Sequence, residues 1–357
     1  MSALQCRAEI GLRQLPDYMP AIIDRLASFE GEVEQGGSGV SLRYAFGRAH
    51  LGTGENRLLM ALEAGDVDGL QRLRELVTVA VQIYAKAESP QIVWQGDLAG
   101  DRALATFRKI RVEEVSQLTP HMMRFRFSGE NLARYSQFGG MHVRMLFPTP
   151  ENPNPVWPVS GANGLPAWPS QERRPAARVY TIRHLDSISG TMDIDFVIHG
   201  DEGVGSAWAL RARPGDEVGI IGPLGRPVRN ADWYVIGCDE TGLPAAARLI
   251  ENLGPQVRGK AFIEVLSAGE RQEIAHPEGF SISWIYREEE AAPGERLADA
   301  VAAIRWPEGE NCFGWFAAEA EPARRLREYW RETLSYGRDR TLVAGYWKRG
   351  VAGLMAG

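Results

Sequence analysis

The chain from residue 231 onward alternates between short apolar strands and amphipathic helices. The segment "DWYVIGC" has the pattern of a buried strand and "ETGLPAAARLIENL" that of a helix, and the alternation continues to the terminal strand "RTLVAGYWKRG". Strands that alternate with helices form a parallel sheet joined by right-handed crossovers. Residues 231–357 are therefore predicted to form a parallel α/β domain.

Residues 107–230 have a different pattern, with about six strands and one short helix, "GSAWALRA". Strands separated by short turns favour an antiparallel Greek-key barrel, and we predict six strands here. The loop at 148–175 interrupts them and holds 8 of the chain's 21 prolines. A loop of this length inside a domain is usually functional or disordered.

Residues 1–98 are predicted to form a separate small α+β domain. A strand and a helix are followed by paired strands around "TGEN" and by the long amphipathic helix "DVDGLQRLRELVTVAVQIYAKAE". The segment "SPQIVWQGDLAGDR" has the composition of a linker. We therefore expect three domains and expect residues 1–98 to be dispensable for the activity of the other two.

Composition excludes several classes of protein. The three cysteines have no paired spacing and the six histidines are scattered, which argues against a disulfide framework or a permanent metal site. No apolar run reaches the roughly 18 residues of a membrane span, and the N-terminus has no signal-peptide pattern, so we expect a cytoplasmic protein. The net charge of −6 argues against nucleic-acid binding.

The strand "RVYTIR", residues 178–183, carries an arginine at each end. A half-buried guanidinium needs an anionic partner, because an uncompensated buried charge is costly. Residues 101–230 hold 16 basic and 13 acidic side chains, the one segment with a positive balance. An anionic ligand on this strand is the interpretation that we favour over solvated edge arginines.

The order of motifs resembles that of a known family. A barrel followed by an α/β domain is the layout of flavin reductases related to ferredoxin–NADP reductase. Six segments follow one another in order along the chain: "RVYTIR", "DIDFVIHG", "GSAWA", "GCDETGLPAAARLIE", "WFAAE" and "GYWKRG". Through these segments the chain more closely resembles the siderophore-interacting protein family of FAD-dependent ferric-siderophore reductases. The small N-terminal domain resembles one sometimes fused to them.

The resemblance implies that residues 107–230 bind FAD. Arg178 would meet the pyrophosphate, for which a guanidinium fork is well shaped. Tyr180 would pack its ring on the isoalloxazine and Thr181 would face its N5/O4 edge. Backbone N–H groups at the start of a short helix, at Gly205, Ser206 and Ala207, would face the pyrophosphate. Arg183 and His199 are two further candidates for contact with the cofactor. For His199 a buried core histidine is the alternative.

The resemblance also implies that the α/β domain binds a nicotinamide dinucleotide, through the loop "GCDETGLP". Asp239 and Glu240 stand there where a pyrophosphate would approach, so we expect weak binding, with Thr241 as a third loop contact. Ser267 and Arg271 follow the second strand, where a 2′-phosphate would be held. They favour NADPH slightly over NADH as the electron donor.

The expected reaction passes a hydride from NADPH to FAD and single electrons to the Fe(III) of a siderophore, with release of Fe(II) in the cytoplasm. Hard oxygen ligands hold Fe(II) less tightly than Fe(III), and no acid–base residue is required. The candidate substrate dock consists of Arg144, Arg183, Lys348 and Arg349, although the last two have a solvated tail as an equal alternative. The alternatives are a flavoenzyme linked to ferredoxin and a siderophore-binding protein without flavin.

Overall fold

The computed structural model describes residues 3–37, 39–138, 140–200, 203–287 and 292–351. The chain divides into two compact units. The first unit contains Met1–Phe107 and Asn154–Arg174, and the second contains Arg108–Pro153 and Pro175–Gly357. Across the described ranges, no helix combines the length and the apolar composition that crossing a membrane requires.

The first unit contains an antiparallel sheet and two helices. Its elements are, in chain order, β1 (Leu4–Gly11), α1 (Leu15–Ala27), β2 (Glu32–Gly36), β3 (Gly39–Tyr44), β4 (Gly47–Gly54), β5 (Arg57–Ala64), α2 (Val67–Tyr84), β6 (Gln95–Gly96), and the short pair β10 (Val159–Ser160) and β11 (Pro166–Ala167). The sheet order is β2-β3-β4-β5-β1-β6. The small α+β domain expected from the sequence is confirmed, and the apolar stripe of α2 packs into its core.

Polar side chains of α2 bond to the segment Asn154–Arg174. Gln71 donates to the carbonyl oxygen of Gly164 at 2.6 Å, and Thr78 donates to that of Asn163 at 3.0 Å. The indole of Trp94 also donates to Asn163, at 3.1 Å. The proline-rich loop expected inside the barrel domain therefore folds for most of its length with the first unit, because this segment satisfies buried polar groups of α2.

The structure also differs from the sequence reading of "SPQIVWQGDLAGDR". Ile92 and Trp94 are each only 3% exposed and belong to the core of the first unit. The strand β6 pairs with β1. This segment is therefore part of the domain rather than a linker, because its apolar side chains are buried by it.

The second unit begins with a closed six-stranded barrel, as the sequence predicts. Its elements are β7 (Phe107–Thr119), β8 (Met122–Gly129), α3 (Arg134–Gln137), β9 (His142–Phe147), β12 (Ala176–Asp186), β13 (Thr191–Val197), α4 (Val204–Ala209) and β14 (Glu217–Leu224). The order around the barrel is β12-β13-β8-β7-β14-β9. The aromatic rings of the core surround Trp208 of α4: Phe125, Phe127, Phe147 and Phe196.

The parallel α/β domain is also confirmed. Its elements are β15 (Trp233–Cys238), α5 (Leu243–Glu251), β16 (Arg258–Val265), β17 (Phe280–Tyr286), α6 (Glu295–Ala302), β18 (Cys312–Glu319), α7 (Ala320–Glu328) and β19 (Thr341–Trp347). The order β17-β16-β15-β18-β19 makes the first strand, β15, central. In such a sheet the direction of winding reverses beside the first strand, and ligands bind at the carboxyl ends of the strands there.

Deleting residues 1–107 alone should leave Asn154–Arg174 without the groups that it bonds to. We expect that truncated chain to be cleaved by trypsin after Arg173 much faster than the full chain. The two ends of the segment lie close together, since Arg173 donates through Nη2 to the Asn154 carbonyl oxygen at 2.6 Å and Val156 N–H donates to that of Arg173 at 2.8 Å.

A second truncation, in which a short Gly–Ser link joins Pro153 to Pro175, should therefore be stable. The measurement is limited proteolysis together with thermal unfolding of both truncated chains. Equal stability of the two chains, with Asn154–Arg174 resistant to trypsin in the first, would contradict the assignment of this segment to the first unit.

Candidate functional site

The two faces of β12 present different groups. In the pairing of β12 with β9, Arg178 lies opposite Met145, and Thr181 lies opposite His142. Residues directly opposite each other share a face of the sheet. Tyr180 therefore lies on the face of the barrel core, whereas Thr181 lies on the outer face with His142.

Tyr180 packs closely against α4. Its ring centroid lies 4.2 Å from that of Phe196, and its phenol is half-buried. A Cβ atom at Gly205 would lie 1.8 Å from the Tyr180 hydroxyl oxygen, so a larger residue here would force the Tyr180 ring to shift. Burial raises the pKa of the Tyr180 phenol, which therefore stays protonated. The sequence motif assigned Gly205 to phosphate contact, and the structure gives it a packing role as well.

The remaining candidates of the short-helix segment have different surroundings. The buried hydroxyl of Ser206 accepts from the backbone N–H of His199 at 3.2 Å and donates to the carbonyl oxygen of Gly200. It thereby bonds His199 and Gly200 to α4, in which Ala207 is half-buried. His199 itself is exposed, so the alternative of a buried core histidine is wrong.

Two arginines of the site are half-buried, and a third is buried. The guanidinium of Arg178 donates to the carbonyl oxygen of Ala177 at 2.7 Å. Arg144 lies on β9 opposite Val179, on the face that carries Thr181. Arg183, expected at the cofactor and in the dock, is only 5% exposed and pairs with Glu251 through two bonds of 2.6 Å. Its charge is therefore engaged by α5 rather than presented to a ligand.

The loop after β15 turns Asp239 inward. One carboxylate oxygen of Asp239 accepts from the Thr241 N–H and hydroxyl and from the Gly242 N–H. The other accepts from the Trp347 indole at 2.7 Å. Burial raises the pKa of Asp239, while the bonds from Thr241 and Trp347 lower it. This carboxylate is buried, and both of its oxygens are bonded within the protein.

Glu240 is also paired within the protein. Its carboxylate accepts from Arg287, which also bonds to Glu264 at 3.1 Å. Burial and the nearby Asp239 raise the pKa of Glu240 and the charge of Arg287 lowers it, which together leave the pKa at about 7. Because Arg287 offsets the Glu240 charge, the loop repels a phosphate less than its sequence suggests.

A cavity of about 280 Å³ opens at the carboxyl ends of β15 and β16, beside the barrel. Its ionisable lining residues are His121, His199, Glu240, Glu270 and Arg287. His121 Nδ1 lies 2.6 Å from Glu270 Oε1. Glu270 and Arg287 belong to no recognisable sequence motif, so their place in the cavity lining is visible only in the structure.

The outer candidates are exposed. Ser267 and Arg271 both lie just after β16, with the Arg271 guanidinium 5.7 Å from the centre of the Trp284 ring. Lys348 and Arg349 follow β19 and are exposed, with the Arg349 N–H bonded to Glu319. The two preceding residues of "GYWKRG" form hydrogen bonds within the protein. The Trp347 indole donates to Asp239, and the Tyr346 hydroxyl lies 3.0 Å from Nε2 of His142. His142 was not among the residues expected from the sequence, where its signal is a lone histidine in the apolar strand "HVRMLF".

Two family models together match most of the chain after residue 110. Residues 111–227 match the siderophore-interacting FAD-binding domain, and residues 231–350 match the siderophore-interacting protein model. The chain belongs to the siderophore-interacting protein family. The flavin-binding barrel and the parallel α/β domain of this family are thus both present, in the order that the sequence motifs predict.

Named relatives are similar to this chain over about two thirds of its length. A ferric vibriobactin reductase, ViuB, of Vibrio cholerae is 31% identical over 237 residues, which are 65% of this chain and 86% of that protein. An NADPH-dependent ferric-chelate reductase of Escherichia coli is 32% identical over 251 residues, 68% of this chain and 92% of that protein. The crystal structure of a siderophore utilization protein from T. fusca aligns with a TM-score of 0.62 and 34% identity, covering 71% of this chain and 97% of the other.

Replacing Gly205 by alanine should displace the Tyr180 ring, because the new methyl group would overlap the hydroxyl. We expect Gly205→Ala to weaken FAD binding and to change the aromatic circular dichroism. Adding Tyr180→Phe should restore part of both, since it removes the atom at 1.8 Å and leaves the ring carbon at 2.9 Å as the closest contact. The measurements are FAD titration and near-ultraviolet circular dichroism, with Tyr180→Phe alone as the control. Equal FAD affinity in wild type and Gly205→Ala would argue against this packing.

Proposed function

We propose that this protein is a FAD-dependent reductase that uses NADPH to reduce ferric siderophores in the cytoplasm. The observation that carries the proposal is Tyr180, packed against Gly205 on a barrel strand within the segment that matches a FAD-binding domain. The relatives named as ferric reductases support the substrate class. The three buried, unpaired cysteines suit a reducing compartment.

The residues present fit FAD. Arg178 is a half-buried guanidinium suited to the pyrophosphate, and Tyr180 is a half-buried ring suited to the isoalloxazine. Thr181 would face the N5/O4 edge, while the first N–H groups of α4 would lie near the pyrophosphate. FAD would supply hydride acceptance and single-electron transfer, which no side chain of the site can supply. The protein would bind and orient it.

NADPH would bind at the carboxyl end of the α/β sheet. The cavity there is lined by Arg287 and His199, and the two loop carboxylates have partners inside the protein. Ser267 and Arg271, both exposed after β16, would hold the 2′-phosphate. Reduction of Fe(III) to Fe(II) would then weaken the binding of the iron by the hard oxygen ligands of the siderophore, so that the iron is released.

The docking surface for the siderophore would consist of Arg144, Lys348 and Arg349. Arg144 lies on the outer face of β9, the face of Thr181. Lys348 and Arg349 are exposed after β19, the strand that carries Tyr346. Ferric tris-catecholates are multiply anionic, so these cations would speed the encounter in a chain of net charge −6.

The purified protein should be yellow and should release FAD on denaturation. A colourless protein that takes up no added FAD would instead indicate a siderophore-binding protein without flavin.

Arg178→Ala should weaken FAD binding by about 1.5–3 kcal/mol, the size of a charged hydrogen bond. The FAD affinity of Arg178→Lys should lie between those of wild type and Arg178→Ala, because lysine keeps the charge but lacks the two-pronged guanidinium. An unchanged dissociation constant in Arg178→Ala would remove Arg178 from the pyrophosphate.

Replacing Lys348 and Arg349 together by alanine should raise the apparent KM for an anionic ferric siderophore at low salt. FAD content and hydride transfer from NADPH should be unchanged. The matched control is Lys260→Ala with Arg305→Ala, two exposed cations of the α/β domain that remove the same charge. Stopped-flow spectroscopy follows the two half-reactions separately.

Added salt should remove the difference between wild type and the Lys348/Arg349 variant, because it screens exposed charges. Equal effects of the two double variants would show that only net charge matters. Reoxidation as fast as in wild type at low salt would leave Arg144 as the remaining cation of the dock.

A further inference from the structure

A hydrogen-bonded chain leads away from the Thr181 hydroxyl. Thr181 Oγ1 lies 3.2 Å from Nδ1 of His142, and Nε2 of His142 lies 3.0 Å from the Tyr346 hydroxyl. The rings of His142 and Tyr346 meet edge to face, with centroids 5.5 Å apart. The three residues come from β12, β9 and β19, so the chain exists only because the terminal strand reaches the barrel.

The surroundings keep all three groups neutral. Burial lowers the pKa of His142 to about 4, and the positive charge of Arg248 on α5 lowers it further. Burial raises the pKa of Tyr346, and Cys238 and Asp239 on the side of β15 also raise it. At neutral pH the chain therefore contains an uncharged imidazole between a hydroxyl and a protonated phenol.

A neutral imidazole has one donor nitrogen and one acceptor nitrogen. A phenol O–H is a good donor, and among the described residues the hydroxyl of Tyr346 has Nε2 of His142 as its hydrogen-bond partner. If Tyr346 donates to Nε2, the ring proton lies on Nδ1 and is donated to the Thr181 oxygen. The Thr181 hydroxyl hydrogen is then directed away from His142 and is available to a further acceptor.

We propose that His142 is a positioning residue that, with Tyr346 behind it, makes the Thr181 hydroxyl a hydrogen-bond donor towards the flavin edge. The inference rests on the proposed function, in which Thr181 faces N5 and O4 of FAD. Oxidised flavin offers an acceptor lone pair at N5, whereas reduced flavin carries a hydrogen there. A fixed donor at this point favours the oxidised form and lowers the reduction potential.

The first test is made on the wild-type protein without FAD. Nitrogen-15 correlation spectra of the imidazole should show His142 protonated at Nδ1 and unprotonated at Nε2. The opposite tautomer would overturn the proposal, because Thr181 would then donate to His142. This measurement needs neither a variant nor turnover.

The second test uses variants and the reduction potential of the bound flavin. His142→Phe should weaken binding of oxidised FAD about five- to tenfold, the effect of a neutral hydrogen bond, and should affect reduced FAD less. If the affinity for oxidised FAD falls tenfold relative to that for reduced FAD, the reduction potential of the bound flavin rises by about 30 mV for a two-electron couple. His142→Asn should remain near wild type, because its amide nitrogen can replace Nδ1 as the donor.

A double-mutant cycle separates this role from simple packing. If His142 acts through Thr181, His142→Phe should add no shift in potential to a Thr181→Val protein. Tyr346→Phe should shift the potential in the same direction as His142→Phe, by a smaller amount, and covers the case in which His142→Phe does not fold. Equal shifts in His142→Asn and His142→Phe, or a full shift in the Thr181→Val background, would overturn the proposal. A wild-type protein that takes up no FAD would overturn the proposed function itself, and this inference with it.

Discussion

The strand β12 is fastened to α5 by two arginines, and the arrangement of the site depends on this attachment. Arg183 of β12 forms two bonds with Glu251 at the end of α5, and Arg248 of α5 donates to the carbonyl oxygen of Ile182 at 2.6 Å. A buried ion pair is favourable only when its geometry is good and its remaining atoms are satisfied, and a bidentate pair meets the first condition. The flavin-type strand and the helix that follows the Asp239 loop are therefore held in one geometry.

The terminal strand provides a second attachment. Trp347 bonds to Asp239, and Tyr346 bonds to His142, so neighbouring residues of β19 reach the α/β loop and the barrel. Gly242 allows this loop to pack tightly, since a Cβ there would lie 2.5 Å from the Ala317 carbonyl oxygen. The motif "GYWKRG" thus combines two inward aromatic residues with two exposed cations. The inward pair connects the α/β loop to the barrel, and the exposed pair faces solvent.

Some features of the site could be predicted from sequence because they depend on local pattern. The strand–helix alternation after residue 231 and the six barrel strands were both predicted correctly, since hydrophobic periodicity reports local secondary structure. The arginine at the end of "RVYTIR" was not, because a sequence does not show whether a guanidinium meets a ligand or a carboxylate 68 residues away. The same limit applies to Asp239, whose partner Trp347 is 108 residues distant.

The amino-acid sequence by itself determined the order of domains, the family and the residue types available for a flavin. Those properties follow from spacing and periodicity along the chain. Only the tertiary structure decided which charges remain available, that Asn154–Arg174 folds with the first unit, and that His142 lies between Thr181 and Tyr346. The physical reason is that a buried polar group must find a partner, and that partner is chosen by proximity in space rather than along the chain.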